Sequence, residues 1–222
     1  MTTAKKPART SLSRALILRA ALDIVDSAEV RELTMSRLGT ALGADPSAVY
    51  RHFRNKDELL LAMADVMLEE SIAAYVEGDA PVENLRRMVW SLRRSYLRRP
   101  GLARFVSYRF TGGEAEAASV RAMIRNMREL GYDETRSIEL VRALAEMTLG
   151  HISMTADVLS LPRKAQTFEL TMATSYYTYE VLRTPKRSDE ELREAQLADG
   201  EKVYSTMLDT FLAGLLAGAP KA

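Results

Sequence analysis

The 222-residue chain has no cysteine, two histidines and one tryptophan. Without thiols it can form neither a disulfide nor a thiolate metal site, which suits a reducing compartment. His52 and His151 alone leave few parts for metal or histidine-based nucleophilic chemistry. HExxH, GxSxG, Walker and GxGxxG patterns are all missing from the sequence, and no carboxylate pair stands out. No enzyme, cofactor or metal is therefore expected. No run of roughly 18 apolar residues occurs, so no membrane span is expected. The first residues, Lys5, Lys6, Pro7, Ala8 and Arg9, have no apolar run behind them. That predicts no secretory signal and a cytoplasmic protein. Strand alternation, internal repeats and low-complexity tracts beyond the first ten or so residues are missing as well.

What is present has helical period almost throughout, with 47% hydrophobic and 27% charged residues, enough for a core and a solvated surface. The expected fold is all-α. A first helix over 13–28 carries the stripe Leu16, Ala20 and Ile24, thickened by Ile17, Ala21 and Val25. Thr34 caps a second helix with Met35, Leu38 and Leu42 inward, ended by Gly43. Pro46 opens a third over 46–52, in which the period turns Ala48, Val49 and Phe53 inward. Asn55 caps a fourth that runs to about residue 75, with Asp57 and Glu58 at its positive end. Gly78-Asp79-Ala80-Pro81 is the first clear break. Helices follow over 82–97, 102–110, 114–130, 134–159 and 164–182. Ser188 and Glu191 spell a capping box for a last helix, which the sequence predicts to be interrupted near Asp199-Gly200.

Charge is uneven. Residues 1–56 hold ten Lys/Arg and five Asp/Glu, while the rest holds 21 and 25. A basic front on a mildly acidic body suits a polyanion at the front only; the other reading is chance clustering on a solvated face.

The front also holds the most telling segment, residues 33–60: short helix, glycine turn, short helix, then an aromatic and basic cluster before a capped helix. A helix-turn-helix built to lie in a DNA major groove has this order. Its core is expected from Leu18, Leu22, Val25, Leu38, Leu42, Val49, Phe53 and Leu60. Read as a recognition helix, 46–52 presents Ser47, Ala48, Tyr50 and Arg51 outward, with Pro46 at its start, small residues allowing close approach. His52, Lys56 and Arg54 suit phosphates, and Arg37 reaches a backbone or a base from the second helix. Thr34 adds a hydroxyl at a helix start. Singly, His52 reads as a surface histidine, Tyr50 and Phe53 as core, and Asn55 as a cap. Their joint spacing around Gly43 carries the reading.

With Leu33-Thr34, Leu38, Leu42-Gly43, Val49-Tyr50, His52-Phe53, Asn55-Lys56 and Glu58-Leu59-Leu60 in place, residues 13–64 resemble the N-terminal domain of the TetR family of transcriptional regulators. Ile17-Leu18 and Ala20-Ala21-Leu22 fit too, and the Tyr-x-His-Phe-x-x-Lys core is the specific part. Gly39 departs from the usual alanine, loosening its helix by about 1 kcal/mol. Ala44 departs from valine, and Asp45-Pro46 from small or polar residues, with a negative charge near where DNA would lie. The resemblance implies an all-α homodimer on a palindromic double-stranded DNA operator, released when a small-molecule effector binds the larger domain. Recognition helices must stand about 34 Å apart to enter successive major grooves, so an effector that favours another spacing lowers DNA affinity. The implied organisation is a disordered basic arm over 1–12, a helix-turn-helix domain over 13–60, and an effector and dimerisation domain over 61–222. The alternative is a DNA-binding regulator or activator of the same fold that answers to no small molecule.

In the larger part the sequence is less specific. Met88, Val89, Trp90 and Leu92 stand among arginines at 86, 87, 93, 94, 98 and 99. Trp90, Phe105, Tyr108, Met123, Met127, Met147 and His151 are the expected lining for an apolar or aromatic effector; singly each also reads as plain core. His151 is the polar member, as a ligand contact or an interface histidine. Dimerisation is expected on the helix over 135–159 and the amphipathic C-terminal stretch, with Gly150 permitting a close crossing.

Overall fold

The computed structural model describes residues 12–27, 33–78, 80–178 and 188–220, with the backbone alone at 174–178, 189 and 192. The described residues form ten α-helices and no strand. The expected all-α class holds. Most of the basic arm over 1–12 and the end of the helix predicted over 164–182 lie outside the described residues. No described helix is long and apolar enough to cross a membrane.

The chain divides into two compact units, one up to Met63 and one from Ala64. The division falls inside a helix. The N-terminal unit holds α1 (Arg14–Ser27), α2 (Met35–Ala41), α3 (Pro46–Tyr50) and the start of α4 (Lys56–Ala73). Ile17, Ala21, Leu33, Leu38, Val49, Phe53, Leu59 and Met63 are its fully enclosed apolar side chains. Leu18 and Leu42, expected in this core, are only half-buried. Local chemistry sets the helix ends. The Thr34 hydroxyl accepts the Arg37 N–H at 3.0 Å, and Gly43 takes φ +59°, a conformation open to glycine at little cost. Asn55 Oδ1 accepts the Glu58 N–H at 2.8 Å, starting α4. The third helix stops at Tyr50, two residues short of expectation, because His52 N–H turns to the Val49 carbonyl at 2.9 Å.

The second unit holds the rest of α4, then α5 (Pro81–Leu97), α6 (Pro100–Val106), α7 (Glu114–Glu129), α8 (Glu134–Leu159), α9 (Arg163–Thr178) and α10 (Asp189–Gly218). In α8, Ser137, Val141, Leu144, Thr148, Ile152, Ala156 and Leu159 repeat every three or four residues and are buried. They pack towards a core of Leu85, Val89, Met127, Tyr204, Leu208 and Leu212. The Ser91 and Ser95 hydroxyls on α5 donate to the Ser71 and Met67 carbonyls of α4 at 2.8 and 2.7 Å. The Ser188–Glu191 capping box forms in full. The predicted interruption at Asp199-Gly200 does not: α10 runs through it without a break. Buried Gln196, Tyr204 and Leu208 on either side anchor the helix, outweighing the roughly 1 kcal/mol that one glycine takes from it.

Candidate nucleic-acid interface and effector cleft

The N-terminal unit gives α3 two faces. Val49 and Phe53 are fully enclosed, while Ser47, Tyr50 and Arg51 are exposed, Tyr50 by 51%. Ala48 is 7% exposed, which corrects its outward placement: on a five-residue helix it falls on the same side as Val49, and its side chain is core. Pro46, His52 and Lys56 are half-buried, and Thr34 and Arg37 are exposed at the start of α2. Thr34, Pro46, Ser47, Tyr50, Arg51 and Lys56 thus all keep some surface, over 23 residues of chain.

Two further residues position α3. Asp45, read in the sequence as a charge near DNA, is its N-cap: the carboxylate accepts the Ser47 N–H at 2.8 Å. Hydrogen bonds from Ser47 hold its carboxyl below the usual value. Arg14 is the second. Its guanidinium donates to the His52 carbonyl at 2.7 Å, pairs with Glu58 at 3.2 Å and lies 4.1 Å from the Phe53 ring centre. It therefore fixes the turn after α3 through charge, hydrogen bond and cation–π contact together. No local signal marks it, since its partners lie 38 and 44 residues away. Gly39 also changes meaning. A Cβ there would stand 2.9 Å from the Ala44 carbonyl oxygen and 3.2 Å from Pro46 N. Glycine lets α2 and the start of α3 close up, where the sequence suggested only a looser helix.

In the second unit the seven expected effector residues are not brought together. Met123 lines a cleft of about 290 Å³ with Leu68, Ile72, Tyr75, Met88, Leu92 and Ala122. Met127 is fully enclosed in the core, with Met147 packed against it. Trp90 meets Tyr204 edge to face at 4.9 Å, and His151 stacks on the same ring at 5.1 Å. Phe105 and Tyr108 are 39% and 72% exposed and are not among the residues lining the Met123 cleft. They sit at the end of α6 and in the turn after it, a shorter helix than predicted. Being aromatic did not place them inside.

The cleft is mainly apolar, with Ser71, Tyr75, Glu77, Ser119 and Arg125 as its polar members. The Tyr75 hydroxyl is buried without a hydrogen-bond partner, and burial pushes it up from its ordinary value. Two of the lining residues, Glu77 and Arg125, form an ion pair. Beside it, Asn84 closes the loop before α5. It accepts the Gly78 N–H at 2.8 Å, donates to the Gly78 carbonyl at 2.7 Å and to Asn126 Oδ1 at 3.0 Å. Among the described residues no group of three or more acidic or histidine side chains could hold a metal.

The family described as bacterial regulatory proteins, tetR family, matches residues 17–63. The tetracycline repressor protein class A of Escherichia coli is 44% identical over 62 residues, 28% of this chain and 29% of that protein. The matches to the first curated relatives span only 29% and 40% of their lengths. Among solved structures, the Streptomyces coelicolor TetR family protein ActR in complex with actinorhodin superposes with a TM-score of 0.73. It is 23% identical and covers 96% of this chain and 100% of its own, a likeness of fold. BioQ with its natural double-stranded DNA operator is 26% identical, with a TM-score of 0.59 over 76% of this chain and 99% of its own.

Proposed function

We propose that this chain, which belongs to the TetR family of bacterial regulatory proteins, is a homodimeric repressor that leaves a palindromic operator when a small effector binds. DNA-binding regulation is the common role of that family, and this reading assigns the chain no catalysis. The two-faced α3 carries it. Its Val49 side is locked into the N-terminal core, leaving Ser47, Tyr50 and Arg51 to meet base edges and phosphates. Thr34, Arg37, His52 and Lys56 are assigned to the phosphate backbone, Pro46 shapes the helix start, and Ala48 serves as a core spacer.

A dimer is supported by apolar side chains on two helices: Ile138 and Met154 on α8, Val203, Met207 and Leu216 on α10, all exposed in the single chain. Such surface calls for a partner. The cleft supports an effector. Its volume is at the small end for ligand sites, its walls are mainly apolar, and Tyr75 offers a buried hydroxyl without a partner. ActR with actinorhodin and BioQ with its operator are precedents for the two kinds of partner.

The test is footprinting of the purified protein on genomic DNA, followed by gel shifts on the protected sequence. Tyr50→Ala is expected to weaken binding by about tenfold or more, with the dimer intact on size exclusion. Affinity should fall steeply with salt, because phosphate contacts release counterions. Unchanged binding by the variant, or a flat salt response, rejects this interface.

A further inference from the structure

Three helices supply the apolar lining of the cleft: Leu68 and Ile72 from α4, Met88 and Leu92 from α5, Ala122 and Met123 from α7. Polar contacts tie α4 to α7 at both ends of this lining. One turn before Leu68, Asp65 Oδ1 accepts the Thr111 hydroxyl at 2.9 Å and the Glu116 N–H at 3.2 Å. Its carboxylate packs so closely on Gly113 that a Cβ there would overlap it. At the other end Glu77 pairs with Arg125. Among the described lining residues these two are the charged ones, and each answers the other. A charged ligand would leave water for a mainly apolar cleft without a counter-charge of its own, so the occupant is neutral.

Size and shape follow from the walls. The cleft holds about 290 Å³, roughly twice the ~150 Å³ that takes one benzene. From Ala118 to Arg125 the α7 wall runs about 10 Å. Two fused rings match both measures. Met88 and Met123 bring thioether sulfurs, which pack well against aromatic rings.

Tyr75 sets the polarity. It lines the cleft, and its hydroxyl is buried with no hydrogen-bond partner. The hydroxyls of Ser71 and Ser119 sit on helices, where each can turn to a carbonyl of the preceding turn. A tyrosine hydroxyl has no such local acceptor, and leaving it unanswered is unfavourable. Burial holds its proton on, so it has a hydrogen bond to donate.

We propose that the cleft takes a neutral aromatic body of about two fused rings with one carbonyl-type oxygen that accepts the Tyr75 hydroxyl. This rests on reading the cleft as the effector site, and it names the effector's chemical class.

Calorimetric titration of the full chain without DNA tests it, with methyl naphthyl ketone as the probe. One molecule should bind per chain. Naphthalene, which lacks the acceptor, should bind about fivefold more weakly. Naphthoate, with a carboxylate in place of the ketone, should bind at least about tenfold more weakly than the ketone. Tyr75→Phe should bring the ketone down to the affinity of naphthalene and leave naphthalene unchanged. That variant loses only an unpartnered hydroxyl, so its Tm should not fall. The proposal is overturned if the ketone does not bind, if naphthoate binds as tightly, or if Tyr75→Phe keeps the ketone's advantage. A probe that binds as described yet leaves the operator complex intact overturns instead the effector-released repressor, and the ligand class stands.

Discussion

In the N-terminal unit the side chains proposed to meet DNA all fall between Thr34 and Lys56, and short-range hydrogen bonds to Thr34, Asp45 and Asn55 set the helix starts. In the second unit, the group around Tyr204 draws Trp90 and Arg93 from α5, Thr148 and His151 from α8, and Glu201 from α10. The Arg93–Glu201 contact alone spans 108 residues. One region builds its site from neighbours in sequence, the other from helices that meet only after folding. A local site tolerates drift elsewhere in the chain, whereas an assembled one can change its ligand with a few substitutions on one helix.

The strongest way to break this comparison is Leu38→Ala. Leu38 is fully enclosed in the small N-terminal core, and the truncation should remove about 2–5 kcal/mol. Operator binding should disappear, and part of the circular dichroism transition should move to lower temperature. Trp90 lies in the other unit, so its emission should keep the original midpoint. If both signals fall together, the two regions do not unfold as self-contained units and the contrast fails.

Gly39→Ala comes next. Helix propensity alone forecasts a gain of about 1 kcal/mol. A new Cβ 2.9 Å from the Ala44 carbonyl oxygen, with Pro46 N at 3.2 Å, faces backbone atoms that cannot swing aside. The expected result is a loss of about 1–3 kcal/mol in chemical unfolding, together with weaker operator binding. A gain in stability would mean that the α2–α3 spacing relaxes freely.

These cases show why one region was readable and the other was not. Gly43, Pro46 and Asn55 act on residues within four positions, so sequence spacing carries their roles. Arg14 escaped because its partners lie about 40 residues away, and Gly39 because its neighbour is across a turn. Ala48 was ambiguous on a helix too short to define a face. Trp90 and His151 were expected to line an effector site; they meet instead on the ring of Tyr204, a residue with no local mark. Phe105 and Tyr108 were placed by residue type alone. Gly200 read as a break because helical propensity is visible in sequence and tertiary packing is not.

The second unit has its own, smaller test in pH. The His151 ring sits at about 4, lowered by burial first and by Arg93 second, against an ordinary 6.5, with a backbone hydrogen bond to Gly200 pulling weakly the other way. Between these values the unfolded chain binds a proton that the folded chain refuses. Stability is therefore lost as pH falls from about 6.5 towards 4. In urea unfolding from pH 4.5 to 8, His151→Gln should flatten that slope while the Tyr50 face still binds DNA at pH 8. An unchanged slope would mean that His151 is protonated in the folded protein, with Arg93 screened from it.

The smallest effect expected is the most discriminating for the local site. Asp45 caps α3 and, at the proposed interface, carries a charge that bound phosphates would have to tolerate. Asp45→Asn keeps an oxygen for the Ser47 N–H, since asparagine caps as well as aspartate, and removes only the charge. The Tm should stay put, while operator affinity rises by about threefold at low salt, shrinking as salt increases. Asp45→Ala removes both, so it should lower the Tm and blunt the gain in affinity through a frayed α3. If the two variants shift the Tm equally, the cap contributes nothing and α3 is held by the Val49 and Phe53 side alone. The orienting role would then rest on Arg14, whose contacts come from outside the segment, and the N-terminal site would be less local than its sequence makes it look.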